Sequence, residues 1–467
     1  MIMGRLSMVA EAVGGRLHGR DVEFQAVSTD TRSLQCGELF IALRGAHSHG
    51  MTFIADAARL GAAGAVVEVR QEVDLPQVEV ADTRLAMGDL ARFWRARFPL
   101  PLVAITGSNG KTTVKEMTAA IMRAALAGRD GQDDPVLVTW GNLNNEIGMP
   151  RTLLYLDAKH RAAVIEMGAA RRGDIAYLAR IAAPTVAVVT NAARAHLQGF
   201  RTIEEVALTK GELFEALPAD GTAVINRDDR FFQSWWERSE GRRRCTFGLH
   251  PDADFRADGI EHAVGADGPA LRFTLRCPAG AIPVHLPMAG RHNALNALAA
   301  AAAALACGAS LQDVAAGLGG VRNVPGRLRR VAGPRGITLY DDSYNANPGS
   351  VRAAIAFLEG LAGERWLVLG DMAELGADSA AMHREMGTLA RRCGVMRLFC
   401  TGSQCRSAAE GFGANAEWFE DVAGLSTALR AALRPGTTVL VKGSRSMGME
   451  RVVQALAADS GATGTGG

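Results

Sequence analysis

Short apolar runs broken by turn residues set the rhythm of the first hundred residues. Residues 39–43 and 65–69 read as strands, and 53–60 as a helix stopped at Gly61. Phe98-Pro99-Leu100-Pro101 interrupts that rhythm, since proline continues neither a helix nor a central strand, and a first boundary is expected there. From Leu102 the pattern becomes buried strand, glycine turn, helix. Residues 102–106, 163–166 and 185–190 are continuous apolar runs with helical stretches between them, which predicts a parallel α/β sheet. A Pro-Gly pair within 323–327 marks a second boundary. Beyond it, strand-like runs at 337–340, 366–369, 398–400 and 438–441 each have a helical partner and read as a second, smaller α/β domain. The expected division is 1–100, 101–325 and 326–458, with 459–467 a frayed tail rich in Gly, Thr and Ala.

Composition narrows the class. A length of 467 residues suits about three domains. With 48% hydrophobic and 21% charged residues the chain is an ordinary globular protein rather than a disordered one. The 51 basic and 49 acidic residues nearly cancel, so no electrostatic stripe for nucleic acid is expected. The longest apolar stretch, 297–307, falls far short of the roughly 20 residues that span a bilayer and reads as an Ala-rich buried helix. The N-terminus lacks a secretion signal, and seven cysteines without a C-x-x-C pair read as reduced thiols, so a cytoplasmic protein is expected. Only five of the basic residues are lysines: Lys111, Lys115, Lys159, Lys210 and Lys442. Where a lysine persists in so arginine-rich a chain, an ammonium is weakly favoured over a guanidinium.

The chemistry is densest at Thr106-Gly107-Ser108-Asn109-Gly110-Lys111-Thr112-Thr113, between a buried strand and a helix. Glycines there let backbone N–H groups turn toward a polyphosphate, and the new helix adds its positive end. Lys111 can reach the outer phosphates, and Thr112 can place its hydroxyl on magnesium. The usual loop is G-x-x-x-x-G-K-[ST], but its first glycine position is Ile105 here, which disfavours a generic kinase or motor ATPase. Glu166 ends a buried strand, at the sheet edge where ligands bind. It can hold a hard cation through oxygen, or be satisfied by a neighbouring helix cap. His292, Asn293 and Asn296 open an otherwise apolar helix, as caps or as contacts to a base. Lys210 alone would pass as a surface residue, and Ser28-Thr29-Asp30-Thr31-Arg32 as a turn.

The loop T-G-S-N-G-K-T-T resembles that of the Mur ligases and of folylpolyglutamate synthase. Those enzymes phosphorylate a carboxylate with ATP and let an amine displace the phosphate. The motifs D-D-S-Y-N-A-N-P, G-D-M-A-E-L-G, G-N-L-N-N-E-I-G and V-K-G-S-R-S resemble the Mur ligase that joins D-Ala-D-Ala to UDP-MurNAc-tripeptide through an acyl phosphate. The Asp-Asn-Pro-Arg motif of the diaminopimelate-adding relative is absent, and Tyr344 replaces a lysine of the D-glutamate-adding one.

The resemblance implies three α/β domains: a P-loop-type central parallel sheet, a Rossmann-like C-terminal domain and a small N-terminal domain. It implies ATP on Gly107, Ser108, Asn109, Gly110, Lys111, Thr112, Thr113, Asn293, Asn296, Arg327 and Asp342. Two magnesium ions would use Thr112, Glu166, His196 and Lys210, the last as a carbamate. Lys111, His196, Lys210 and Arg327 would be catalytic, Arg327 reaching the phosphates on domain closure. Ser28, Thr29, Asp30, Thr31 and Arg32 would hold the uridine diphosphate. Asn142, Asn144, Asn145, Asn191, Tyr344, Asn345 and Asn347 would face the sugar-peptide or the incoming amine, and the lysine and arginine of V-K-G-S-R-S, Lys442 and Arg445, suit an anionic substrate group such as the dipeptide carboxylate. The partners implied are UDP-MurNAc-tripeptide and D-Ala-D-Ala, with neither nucleic acid nor a transmembrane segment, and the chain is expected to be a monomer. Two other readings remain: a folate-type ligase, disfavoured by the uridine-nucleotide-like first hundred residues, and a nucleotide-switched binding protein without amide synthesis.

Overall fold

The computed structural model describes residues 1–45, 49–127, 134–193, 199–265, 268–321 and 325–457. His196 and the expected tail 459–467 lie outside them. The first part is a five-stranded sheet: β1 (Arg16–His18), β2 (Ala26–Ser28), β3 (Glu38–Ile41), β4 (Gly64–Val67) and β5 (Gln77–Glu79), in the order β1-β5-β4-β3-β2. Only the β1–β5 pair is antiparallel. Helices α1 (Leu6–Val13), α2 (Ile54–Arg59) and α3 (Thr83–Arg95) pack with it. The runs at 39–43 and 65–69 are thus β3 and β4, each ending two residues early, and the helix at 53–60 begins as a 3-10 turn, Gly50–Phe53.

Residues 98–101 lead into a six-stranded parallel sheet. Its strands are β6 (Leu102–Thr106), β7 (Val136–Val138), β8 (Ala162–Glu166), β9 (Val186–Val189), β10 (Thr222–Asn226) and β11 (Arg243–Phe247), ordered β11-β10-β9-β6-β8-β7. Every residue of β6, β8 and β9 is buried, as a strand covered on both faces requires. Helices α4 (Lys111–Leu126), α5 (Gly148–Leu153), α6 (Asp174–Ala182), α7 (Ile203–Glu215) and α8 (Phe232–Arg238) alternate with the strands. The strand order reverses beside β6, between β8 and β9, and such a switch point opens a crevice at the carboxyl edge.

A three-stranded antiparallel sheet follows: β12 (Arg256–Gly265), β13 (Gly268–Cys277) and β14 (Gly280–Leu286). The apolar stretch at 297–307 is the body of α9 (Arg291–Ala306), a helix buried nearly all round, and α10 (Leu311–Gly319) closes the unit. The last unit carries β15 (Arg329–Ala332), β16 (Thr338–Asp342), β17 (Arg365–Gly370), β18 (Arg397–Thr401), β19 (Ala416–Phe419) and β20 (Thr438–Lys442). Their order is β15-β16-β20-β17-β18-β19, parallel except for edge strand β15. Helices α11 (Pro348–Glu359), α12 (Ser379–Arg392), α13 (Cys405–Phe412), α14 (Val422–Ala432) and α15 (Glu450–Ala457) cover its faces. The α/β architecture expected from the sequence is therefore present. No described helix is long and apolar enough to cross a membrane, and all seven cysteines are free thiols.

Candidate active site

The phosphate loop leaves β6 at the switch point and enters α4. Gly107 has φ 143° and lies so close to Thr190 that an added Cβ would sit 1.9 Å from its hydroxyl oxygen; Gly110, at φ 82°, faces Asn296 Oδ1 in the same way. Neither place accepts a side chain. The segment after β9 fastens the loop from below. The Asn191 side chain accepts from Asn109 N–H at 3.0 Å and donates to Asn109 C=O at 3.0 Å, while Ser108 N–H donates to Asn191 C=O at 2.9 Å. Asn191 was expected to face substrate. Both of its side-chain polar groups instead hold the loop's backbone, whose peptide groups need partners in so buried a place.

Above the loop lies a cavity of about 480 Å³, lined at its floor by Lys111, Thr112 and Glu166. Glu166 is 3% exposed; its Oε2 accepts from the Thr112 hydroxyl at 2.9 Å and its Oε1 from Asn144 Nδ2 at 2.8 Å. A hydroxyl beside a carboxylate is an oxygen donor set suited to magnesium. Lys111 Nζ donates to Gly107 C=O at 2.8 Å, and burial pushes its pKa down, Glu166 opposing and Arg327 adding to the shift. Arg327 comes from the last unit. Its Nη2 donates to Thr112 Oγ1 at 3.0 Å, its Cζ lies 4.4 Å from the Tyr344 ring centroid, and its buried Nε makes no hydrogen bond among the described residues. An orphaned guanidinium donor over a phosphate loop fits an anion.

A second cavity of about 260 Å³ adjoins the first and is lined by Thr113, His292, Asn293, Asn296 and Asp342. Asn293 is both cap-like and cavity-facing: Nδ2 donates to Ala289 C=O at 2.7 Å and Oδ1 accepts from Asn296 at 3.0 Å.

In the last unit the expected site residues line the cavities and also have polar partners within the protein. Lys442, expected to face an anionic substrate group, is 3% exposed and donates to Asp342 Oδ2 at 2.7 Å and Asn345 C=O at 3.0 Å. A buried ammonium demands an anion, and Asp342 supplies it. Asp342, expected at the ribose, is itself taken up by Lys442 and by Leu328 N–H at 3.1 Å. Asn347, expected at the incoming amine, donates through Nδ2 to Asn109 Oδ1 at 2.7 Å and caps α11 through Oδ1 at 2.9 Å to Ser350 N–H. Asn345 and Tyr344 line the larger cavity. So do Asn142, Asn144 and Asn145, although Asn145 Oδ1 is occupied by Gly148 N–H at 2.8 Å, capping α5.

Lys210 lines neither cavity. It is 2% exposed, and burial, with Lys111 adding, lowers its pKa to about 7. Ser28, Thr29, Asp30, Thr31 and Arg32 also lie outside both cavities. They form a self-contained turn: Arg32 Nη2 meets Asp30 Oδ2 at 2.6 Å and holds that carboxyl at about 2, and Ser28 Oγ meets Asp30 C=O at 3.1 Å. Arg445, expected with Lys442 to suit an anionic group, lines the larger cavity, and so does Glu374 of G-D-M-A-E-L-G, for which no role was expected.

A lysine-bearing phosphate loop at a parallel-sheet switch point, roofed by a second α/β unit, defines a nucleotide-binding enzyme with a two-unit cleft. The model of the Mur ligase middle domain matches residues 105–304, and that of the Mur ligase glutamate ligase domain matches 326–445. The UDP-N-acetylmuramoyl-tripeptide–D-alanyl-D-alanine ligase of Escherichia coli (strain K12) is 44% identical over 462 residues, 98% of this chain and 99% of that protein. A crystal structure of MurF from Acinetobacter baumannii is similar at TM-score 0.90 and 32% identity, covering 98% of this chain and 99% of that one. MurF ligase from Thermotoga maritima in complex with ADP is similar at TM-score 0.80 and 25% identity, covering 93% and 97%. The chain belongs to the Mur ligase family.

Proposed function

We propose that this chain joins the terminal carboxylate of UDP-N-acetylmuramoyl-tripeptide to the amine of D-alanyl-D-alanine, cleaving ATP to ADP and phosphate. The carrying observation is that Lys111, Thr112, Glu166 and Arg327 meet at one end of a 480 Å³ cavity that continues past Tyr344 into the last unit. A phosphate loop opening directly into a substrate-sized cleft suits transfer to a bound acid.

The adenosine side of ATP takes the smaller cavity, by Asn293 and Asn296, and the triphosphate follows the loop over 107–113. The substrate carboxylate attacks the γ-phosphorus, the bond to the β-phosphate oxygen breaks, and ADP leaves an acyl phosphate. The dipeptide's ammonium gives a proton to water, and the neutral amine attacks the acyl carbon. The new N–C bond leaves an extra proton on nitrogen, which also passes to water, and collapse of the tetrahedral intermediate breaks the C–O bond and releases phosphate. Lys111 and Arg327 offset the charge moving between phosphates. Holding three substrates in line contributes roughly 7–11 kcal/mol.

Magnesium, when bound, neutralises phosphate charge. Thr112 and Glu166 would hold one ion, and His196 with a carbamylated Lys210 another. The amine of Lys210 suits carbamylation, because only a neutral amine adds carbon dioxide and burial has lowered its pKa to about 7. The sugar-nucleotide end is assigned to the turn of Ser28, Thr29, Asp30, Thr31 and Arg32, with Asn142 and Asn144 along the path. On this reading the chain works in the cytoplasm as a monomer, and its free thiols are in keeping with a reducing compartment.

A coupled ADP-release assay over a panel of UDP-muramoyl peptides and D-amino acid dipeptides tests the reading, with Lys111→Met as control. ADP should form only when the tripeptide and D-Ala-D-Ala are both present, and the control should fall by about 10²-fold or more. ATP binding with no amide product would instead favour a nucleotide-switched binding protein.

A further inference from the structure

Four cationic side chains line the larger cavity: Lys111, Arg327, Lys442 and Arg445. Three are committed. Lys111 lies in the phosphate loop, Arg327 reaches Thr112, and Lys442 is held by Asp342. Arg445 differs. Its side chain is 65% exposed, and its ion pair among the described residues is a loose one, 3.7 Å to Glu450.

Its base is firmly placed. Ser444, beside it, is 2% exposed; its hydroxyl accepts from Ala373 N–H at 2.6 Å and donates to Ala346 C=O at 3.3 Å. The turn after β20 is therefore stapled to both neighbouring loops, and Arg445 projects from a rigid edge into the cleft. Its Cζ lies 5.8 Å from the centroid of the same Tyr344 ring against which Arg327 rests at 4.4 Å. The guanidinium at the phosphate loop and that of Arg445 thus share one aromatic ring. An extended dipeptide spans about 7 Å from nitrogen to carboxylate. Its amine can reach the loop end of the cavity while its carboxylate stays behind.

Resting on the reading above, we propose that Arg445 is the specificity residue that binds the free C-terminal carboxylate of the incoming dipeptide, with Tyr344 as its platform. A planar guanidinium can grip a carboxylate through two parallel hydrogen bonds. Lys442 does not serve that group, because its charge belongs to Asp342.

Amide formation is measured with D-Ala-D-Ala and with its C-terminal carboxamide, for the wild type, Arg445→Met and Arg445→Lys. The wild type should prefer the free acid by about 10²-fold. Arg445→Met should shrink that preference to a few-fold and raise KM for D-Ala-D-Ala about tenfold or more, with KM for ATP and for the UDP-tripeptide unchanged. Arg445→Lys should restore part of the preference. The side chain is largely exposed, so the Met variant should melt with the wild type. If Arg445→Met keeps the full preference, the assignment is wrong. It is equally wrong if the UDP-tripeptide's KM moves in place of the dipeptide's, since Arg445 would then serve a carboxylate of the sugar-peptide. A wild type that makes amide from neither dipeptide overturns the functional reading and this assignment with it.

Discussion

Three of the five lysines, Lys115, Lys210 and Lys442, are buried, in a chain whose basic residues are otherwise arginines. Charged side chains are seldom buried without a reason. Lys115 donates to Thr139 C=O at 2.7 Å and Lys442 pairs with Asp342, which are structural reasons. Lys210 has a lowered pKa, near 7, and its burial carries a price in stability. In the unfolded chain a lysine keeps its proton to about pH 10.4, whereas folded Lys210 keeps it only to about 7. Between those values the unfolded chain binds more protons, so stability rises with pH across the window, and the cost is fully present below pH 7. That cost is on the order of a few kcal/mol. Lys210→Met should therefore raise Tm by several degrees at pH 6 in carbon-dioxide-free buffer, with the gain fading toward pH 10, while amide synthesis collapses. A Tm gain that grew with pH would contradict this. So would full activity in Lys210→Ala that is indifferent to bicarbonate and short-chain acids. Residue by residue, the phosphate loop was legible because its chemistry is contiguous. The division of labour between Lys442 and Arg445 was not, because it depends on Asp342, a hundred residues away in sequence.

At the scale of elements, continuous apolar runs gave the buried parallel strands well: β6 spans 102–106 as expected, and β8 and β9 differ by a residue at their ends. The sheet β12–β14 was missed. Its strands mix charged and apolar residues, as in Arg256-Ala257-Asp258, and carry a bulge between Asp258 and Glu261 that breaks the two-residue period. Nor can a sequence show that a helix cap doubles as a bridge between units. Asn347 caps α11 through one side-chain atom and touches the phosphate loop through the other. Asn347→Asp separates the two roles. Aspartate caps as well as asparagine, but it turns an oxygen toward Asn109 Oδ1 where an N–H had been. Tm should hold within about 2 °C while kcat/KM for ATP falls about tenfold. Asn347→Ala should lose about 1 kcal/mol of stability besides. If the aspartate variant bound and used ATP normally, the Asn109 contact would have no part in closing the cleft.

At the scale of the molecule, the first hundred residues do not stand apart. One apolar cluster runs from Ile2, Leu6 and Leu90 through Leu102 and Ala104 to Met149 and Leu213. Helix α3 packs on α5 and α6, Trp94 Nε1 donates to Leu156 C=O at 2.9 Å, and Ile2 N–H donates to Leu154 C=O at 2.7 Å. The two clusters of the last unit are nearly all its own: one draws in only Ala289 from outside, and the other nothing. Its contacts with the phosphate loop are polar, from Arg327 and Asn347. Interfaces of that kind open and close, whereas a shared apolar core melts as one. Proline punctuation at 98–101 suggests a division, but it reports a break in local structure and says nothing of which side chains pack across it. Calorimetry of the full chain should accordingly resolve two unfolding transitions, one for residues up to 321 and one for 325–457, and an ATP analogue should draw them together by binding across the cleft. Fluorescence of variants that keep only Trp94 or only Trp366 of the six tryptophans assigns them, because Trp94 must report with the central unit and Trp366 with the last. A third, separate transition carried by Trp94 would mean that the core shared by the first two sheets does not make them one folding unit.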